Sequence, residues 1–301
     1  MRRVILPILV AAVLWPIPGC SQHRSPVPTS TEISTAISAR PTTSQESEPT
    51  VVPTPTKTTV PARRGQKLLG ESWEGRPISG HWFGSGEQKV VLVGNIHGGT
   101  EENTYWLALE LISYFDEHTD EVPSHVILWI IPTANPDGLA YDTRRNARGV
   151  DLNRNADNDR DSCKQNDWVS DTYTTDGVIE GGGGSYPFSE AETRVLRDFL
   201  ADAPVAIFYH SMAGMVFATS CADHPPSAEL ARRVSDATGY PFVEEGWASY
   251  PVTGAMVDYL AYQGVAAVEV ELTGNFELEL DRNLAGVRAV MESVDEIVSS
   301  R

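Results

Sequence analysis

Lys89-Val90-Val91-Leu92-Val93-Gly94-Asn95-Ile96-His97-Gly98-Gly99-Thr100-Glu101-Glu102-Asn103 joins an apolar run to a polar turn. The run, Lys89 to Ile96, is continuous and rich in β-branched residues, as expected of a strand buried on both faces of a sheet. It stops at His97, and in open α/β sheets chemistry gathers beyond the carboxyl ends of such strands. Glycines 98 and 99 permit a sharp turn, so that a carboxylate a few residues on can face the same metal ion as the histidine. The pattern predicts His97 and one of the carboxylates that follow, Glu101 or Glu102, as two ligands of a catalytic zinc, with a third ligand, a base and a substrate clamp supplied elsewhere.

Working outward, residues 103–118 read as a helix packed on the sheet through Trp106, Leu107, Leu111 and Phe115. A second buried strand, 125–132, runs into the turn Thr133-Ala134-Asn135-Pro136-Asp137-Gly138. Upstream, 68–83 reads as a hairpin broken at Glu74-Gly75-Arg76-Pro77. Downstream come a helix opened by Ser189 with Glu192 in a capping box, a short strand 205–209 with His210 at its end, and a helix 228–238 stopped by Gly239. A last strand, 264–272, and a closing amphipathic helix, about 279–298, complete the order. Glu269 and Glu271 in that strand point to one face, and burying two carboxylates there is costly without a partner or a task.

The chain before this region has a different character. Arg2 and Arg3 precede an apolar run, Val4 to Ile17, of signal-peptide length. It ends in Ile17-Pro18-Gly19-Cys20, which resembles a bacterial lipobox, so residues 1–19 are expected to be a signal peptide and Cys20 the lipidated first residue of an exported chain held at a membrane of the cell envelope. A plain secretory signal is the other reading. Residues 20–65 are mostly Ser, Thr and Pro and cannot bury a core, which predicts a disordered linker to a folded domain over 66–301. The formal net charge is −18, and the first 65 residues carry more basic than acidic side chains, so the acidity belongs to the domain. This argues against nucleic acid as a partner. Besides Cys20 only Cys163 and Cys221 occur, and in an exported chain they read as a disulfide rather than a metal or redox pair, two free thiols being the alternative.

Arg144-Arg145-Asn146-Ala147-Arg148-Gly149-Val150-Asp151-Leu152-Asn153-Arg154-Asn155 concentrates guanidinium and amide groups in an acidic protein. Arg forks match carboxylates, so the loop reads as an anion clamp, with a surface salt-bridge cluster as the bland alternative. Together with Ile96-His97-Gly98-Gly99-Thr100-Glu101, Asn135-Pro136-Asp137-Gly138 and Pro187-Phe188-Ser189-Glu190-Ala191-Glu192-Thr193, it resembles the carboxypeptidase A-like zinc metallocarboxypeptidases from about Leu68 onward. The resemblance implies an α/β fold, a single domain with a central mixed, largely buried β-sheet flanked by helices. It implies one Zn2+ held by His97, Glu101 and His210, with Glu271 as general base and Arg144 polarising the scissile carbonyl, Arg145 being its close rival. It points to Asn153, Arg154 and Tyr250, which lies eight residues before Asp258, as the clamp on the substrate's free carboxylate. Glu269 falls near the specificity pocket, where it receives a cationic side chain or amine or is buried as a structural pair. The family spacing places the glutamate three residues after the histidine, where this chain has Thr100; Glu101 is chosen over Glu102.

The expected activity is hydrolysis of an amide bond beside a free C-terminal carboxylate in a peptide, including peptidoglycan-derived peptides with a diamino acid. An N-acyl amino acid deacylase using the same zinc chemistry and a non-catalytic binding lipoprotein are the alternatives. Residues 156–186, rich in Asp, Asn and Gly, are expected to be a solvated loop, since Ser162 and Trp168 stand where a calcium loop needs Gly and Glu.

Overall fold

The computed structural model describes residues 63–175, 177–220, 223–244 and 249–300. The expected signal peptide, lipidation site Cys20, nearly all of the linker, and Cys221 lie outside the described residues.

The main sheet has eight strands. They are β1 (Arg64–Glu71), β2 (Pro77–Gly84), β3 (Gln88–Val93), β4 (Val126–Ile131), β7 (Val205–Ser211), β8 (Val216–Phe217), β9 (Phe242–Val243) and β10 (Ala266–Leu272), in spatial order β1-β2-β4-β3-β7-β10-β8-β9. A separate two-stranded ribbon, β5 (Thr172–Thr174) and β6 (Gly177–Ile179), lies in the insertion. The central strands β4, β3, β7 and β10 run parallel, whereas β1, β2 and β8 pair antiparallel to their neighbours toward the centre. The sheet is therefore mixed.

Period-two alternation divides the core. Val90 and Leu92 of β3 join Leu107, Leu111 and Phe115 of α1 (Asn103–Glu117), together with α4 (Pro225–Thr238) and α6 (Leu280–Ser299), on one face. Val91 and Val93 join Leu196 and Leu200 of α3 (Ala191–Leu200) and Met256 and Leu260 of α5 (Met256–Tyr262) on the other. Both faces are covered, which is why the strands read as unbroken apolar runs rather than alternating ones. After β3 the chain returns as β4 on one side, while β7 takes the other side, so the strand order reverses at β3 and opens a crevice beyond the carboxyl ends of β3 and β7.

Several boundaries differ from the expectation. β1 begins at Arg64, so the last residues assigned to the linker belong to the sheet, paired with Phe83 and Trp82. The Pro136 turn is a short helix, α2 (Pro136–Tyr141), because Asn135 Oδ1 accepts from Gly138 N at 2.8 Å and Pro136 needs no donor partner at the first position. Ser189 does not cap α3. Glu190 holds that position, and the Ser189 hydroxyl donates to Glu190 Oε1 instead. β7 runs through His210 and Ser211, so the histidine lies inside the strand's last residues rather than after them.

Candidate active site

His97 and Glu101 after β3, His210 of β7 and Glu269 and Glu271 of β10 meet in the crevice, and the local backbone explains how the first two are placed. Asn95, with φ 46°, donates from Nδ2 to His97 O at 2.7 Å and from its main-chain nitrogen to Thr104 Oγ1 at 3.0 Å, folding the chain back after β3. Gly98 then passes so close to the helix α2 backbone that a Cβ would lie 2.4 Å from the Gly138 carbonyl carbon. Gly99, with φ 63°, opens a single helical turn over Gly99–Glu101 that swings Glu101 inward. Glu102 faces out and accepts from Trp106 Nε1 at 2.8 Å. The extra residue relative to the family spacing is thus taken up by this turn, and Glu101 reaches the site.

His97 Nδ1 lies 2.9 Å from Glu101 Oε1, His210 Nδ1 lies 3.1 Å from Glu101 Oε2, and the two Nδ1 atoms are 3.2 Å apart. All three residues are buried, and Glu101 is only 5% exposed. Four-coordinate zinc with ligands at about 2.0–2.1 Å has donor-to-donor edges of roughly 3.3 Å, close to these separations. Two imidazole nitrogens this close cannot both turn lone pairs on each other, so a hydrogen carried by one of them or a metal ion must lie between. The donor set of two histidines and one carboxylate fits a catalytic zinc.

Charge balance around the triad is tight. Burial pushes the Glu101 carboxyl up, but His97, His210 and Arg144 outweigh it and hold the group well below the usual range. Burial pulls His210 down, yet Glu269, Glu101 and Glu271 raise it to about 9. Glu271, on the same face of β10, is pushed to about 8 by burial, opposed by His210 and reinforced by Glu101 and Glu269. A bound dication acts in the opposite sense on this carboxyl and favours its ionised form.

The Arg loop wraps the other wall. Arg144 Nη1 donates to Glu101 Oε1 at 2.5 Å and its Nε to Asp151 Oδ2 at 3.0 Å. Asp151 Oδ1 lies 2.9 Å from His97 Nε2 and accepts from Asn153 N at 3.0 Å. Burial works against the Asp151 carboxylate, but Arg144 and His97 keep it ionised, with its pKa well below the usual range. Asn146 ties the loop together, accepting from Arg148 N and Val150 N at 3.0 Å and donating to Glu190 Oε2 at 2.8 Å. Arg144, and not its rival Arg145, is among the residues that line the resulting cavity.

That cavity, about 320 Å³, is also lined by His97, Glu101, His210, Asn153, Arg154, Tyr250, Glu269 and Glu271, so the residues expected from the sequence come together there. The Asn153 amide is already engaged: Nδ2 donates to Glu269 Oε1 at 2.7 Å and Oδ1 accepts from Met256 N at 3.0 Å. Arg154 is 4% exposed and donates from Nη1 to Asn153 O, and no carboxylate lies within ion-pair distance of it among the described residues. Gly254 makes this approach possible, because a Cβ there would sit 2.5 Å from Arg154 O. Thr175, beside the ribbon of the insertion, reaches the cavity rim. Within the insertion, Asp161 accepts from Cys163 N and Asp159 from Trp168 N. Cys163 is disulfide-bonded, and the other two cysteines, Cys20 and Cys221, are outside the described residues. His81, His118, His125 and His224 line no part of the cavity.

Asp151 was not singled out by sequence reasoning as a site residue. Its signal was the chemical need of a metal-bound imidazole for an acceptor on its second nitrogen. Nothing local told that need apart from an ordinary turn-capping aspartate.

A buried cluster of two histidines and a carboxylate at the carboxyl ends of parallel strands, with a further glutamate beside it, is the constellation of a metallohydrolase. The chain belongs to the zinc carboxypeptidase family, whose sequence profile matches residues 56–283. It is 27% identical over 275 residues to metallocarboxypeptidase A of Trichophyton rubrum, a match covering 77% of this chain and 61% of the fungal protein. It is 26% identical over 239 residues to a zinc carboxypeptidase of Simulium vittatum, covering 69% of this chain and 76% of that one. The chain therefore spans less than two thirds of the length of the fungal relative. Among solved structures, bovine thrombin-activatable fibrinolysis inhibitor in complex with tick carboxypeptidase inhibitor superposes with a TM-score of 0.63 at 19% identity, over 77% of this chain and 90% of that one. The murein-tripeptide amidase of Escherichia coli O157 gives 0.51 at 20% identity, over 79% and 93%. At these identities the structural likeness shows the fold alone.

Proposed function

We propose that the protein is an exported zinc carboxypeptidase that releases the residue bearing the free carboxylate of a peptide. One observation carries the carboxylate requirement: Arg154 is a buried cation without a carboxylate partner among the described residues, facing the cavity of the zinc site. An unpaired buried charge is costly, and a substrate carboxylate would supply its counter-ion with two parallel hydrogen bonds. Tyr250 lines the same cavity and adds a hydroxyl to that clamp, while Asn153 fixes the wall between Arg154 and Glu269.

When bound, zinc supplies a Lewis acid for the carbonyl oxygen and lowers the pKa of a water toward neutrality. Glu271 takes the proton of the attacking water and returns it to the leaving nitrogen. Arg144, whose guanidinium is fixed by Asp151 and Glu101 at the cavity wall, stabilises the negative charge that develops on the carbonyl oxygen. Arg154 and Tyr250 place the scissile bond, which confines cleavage to the chain terminus.

The substrate reading extends to cell-wall peptides that contain a diamino acid. Its support is Glu269, a carboxylate on the cavity wall whose Oε1 is held by Asn153, leaving Oε2 to receive an amine. Export and lipidation at Cys20, with the Ser/Thr/Pro-rich segment as a tether, would place the domain beside the wall. The decisive experiment incubates the purified protein, with and without a zinc chelator, with peptide and muropeptide mixtures and identifies the released products by mass spectrometry. Chelator-sensitive loss of single C-terminal residues is expected. Protein that binds no zinc and shows no chelator-sensitive hydrolysis, or that cleaves only N-acylated amino acids, would overturn the reading. Fatty-acid labelling that is abolished by Cys20→Ser tests the anchor.

A further inference from the structure

We infer that a second cavity beside the zinc site is a subsite for a positively charged residue on the acyl side of the scissile bond; the inference rests on the peptidase reading above. This cavity, about 360 Å³, meets the first at Thr100, which lines both. Arg154 and Tyr250, assigned to the free carboxylate, line only the first. With the substrate's terminus held there, the part of the chain that reaches past Thr100 is the acyl side.

The walls specify the chemistry. Phe276 is 87% exposed and Trp106 48% exposed, and both rings border the cavity. Large aromatic surface left in water beside a binding cleft is a contact awaiting a ligand. The loop that carries Phe276 and the indole of Trp106 are each tied down. Asn103, itself buried, donates from Nδ2 to Gly274 O at 2.9 Å and Glu277 O at 3.2 Å, bracing the loop that carries Phe276. Asn103 Oδ1 accepts in turn from Ser211 Oγ, next to His210, so the loop is tied to the zinc site. Trp106 is oriented by Glu102, which accepts its indole N–H at 2.8 Å. Glu102 and Asp142 both line the cavity, and no Lys or Arg does among the described residues. Exposed ring faces next to two carboxylates attract a cation through the ring quadrupole and through charge, and they repel an acidic residue.

The test moves a single lysine through the first three acyl-side positions of an otherwise neutral peptide, with glutamate and norleucine at the same positions as controls. At one position lysine is expected to raise kcat/KM roughly tenfold over norleucine, with glutamate below both, and the gain to shrink in 0.5 M salt. The double variant Glu102→Gln, Phe276→Ala should lose that gain while cleaving the norleucine peptide within about twofold of the parent, since Glu102 is half-buried, Phe276 is exposed and neither touches the reacting groups. Binding of the same labelled peptides to Glu271→Gln, read by fluorescence anisotropy, separates the two claims. A lysine preference in binding without any cleavage by the parent protein would sink the peptidase reading and leave the subsite standing. Equal values for lysine, norleucine and glutamate at every position, or a preference that survives the double substitution, would overturn the subsite.

Discussion

Asp151 and His97 are joined at 2.9 Å between Oδ1 and Nε2, on the side of the imidazole ring opposite the Nδ1 that faces Glu101 and His210. The carboxylate fixes the tautomer, keeping the proton on Nε2 and the lone pair of Nδ1 toward the metal position. Asp151→Ala should therefore weaken zinc binding by roughly 10- to 100-fold, measured by competition with a chromophoric chelator. Unchanged affinity would show that Asp151 serves only the Arg144 loop.

Glu101 and Glu102 are neighbours with opposite fates, one turned into the site and the other bound to Trp106. Glu101→Gln is expected to purify with much less zinc, whereas Glu102→Gln should keep one ion per chain by elemental analysis. The reverse result would place the ligand one residue later and leave the rest of the site intact.

Glu271 and Arg154 should separate in steady-state kinetics. Glu271→Gln removes the base and is expected to lower kcat by about 10²- to 10⁴-fold with zinc retained. Arg154→Ala removes the anchor for the terminal carboxylate, and the loss should fall more heavily on KM. Equal loss of activity on a C-terminally amidated peptide, which offers no carboxylate, would contradict that assignment.

Asp258 titrates away from the zinc ligands. Burial, reinforced by the charges of Glu269 and Asp161 and opposed by two hydrogen bonds from Ser220, raises its pKa to about 6. The unfolded chain releases this proton near 3.9, so between about pH 4 and 6 the folded state binds more protons and stability falls as pH rises. Below about pH 4 the two states are equally protonated and the cost disappears. Asp258→Asn keeps an acceptor for the Ser220 N–H and offers a donor to its hydroxyl without the charge. At pH 7.5 it should be more stable than the parent by on the order of 2 kcal/mol, with the difference absent at pH 4. Urea unfolding at the two pH values checks this; a variant destabilised equally at both would show that the carboxylate is needed for packing.

Much of the scaffold was determined by sequence alone, because its signals are local. The unbroken apolar run before His97 marks a strand covered on both faces, and β3 places Val90 and Leu92 in one core and Val91 and Val93 in the other. The i, i+2 spacing of Glu269 and Glu271 put both carboxylates on one face, and both line the cavity. Short elements such as β8 and β9, two residues each, carry no such periodicity and exist only because β10 and each other offer hydrogen-bonding edges. The site depended still more on tertiary structure. Whether Glu101 or Glu102 faces inward was decided by the turn that Gly99 permits and by the indole of Trp106. Arg144 separates from Arg145 through its contacts with Asp151 and Glu101, and Asp151 gains its role only when the loop lies against His97. The contacts of Arg144 with Glu101 and of Asp151 with His97 span 43 and 54 residues of chain, and residue order alone does not fix which of two adjacent side chains points at a partner that distant. Sequence supplied the chemical groups and the strand ends that gather them; packing chose the orientation in which they meet.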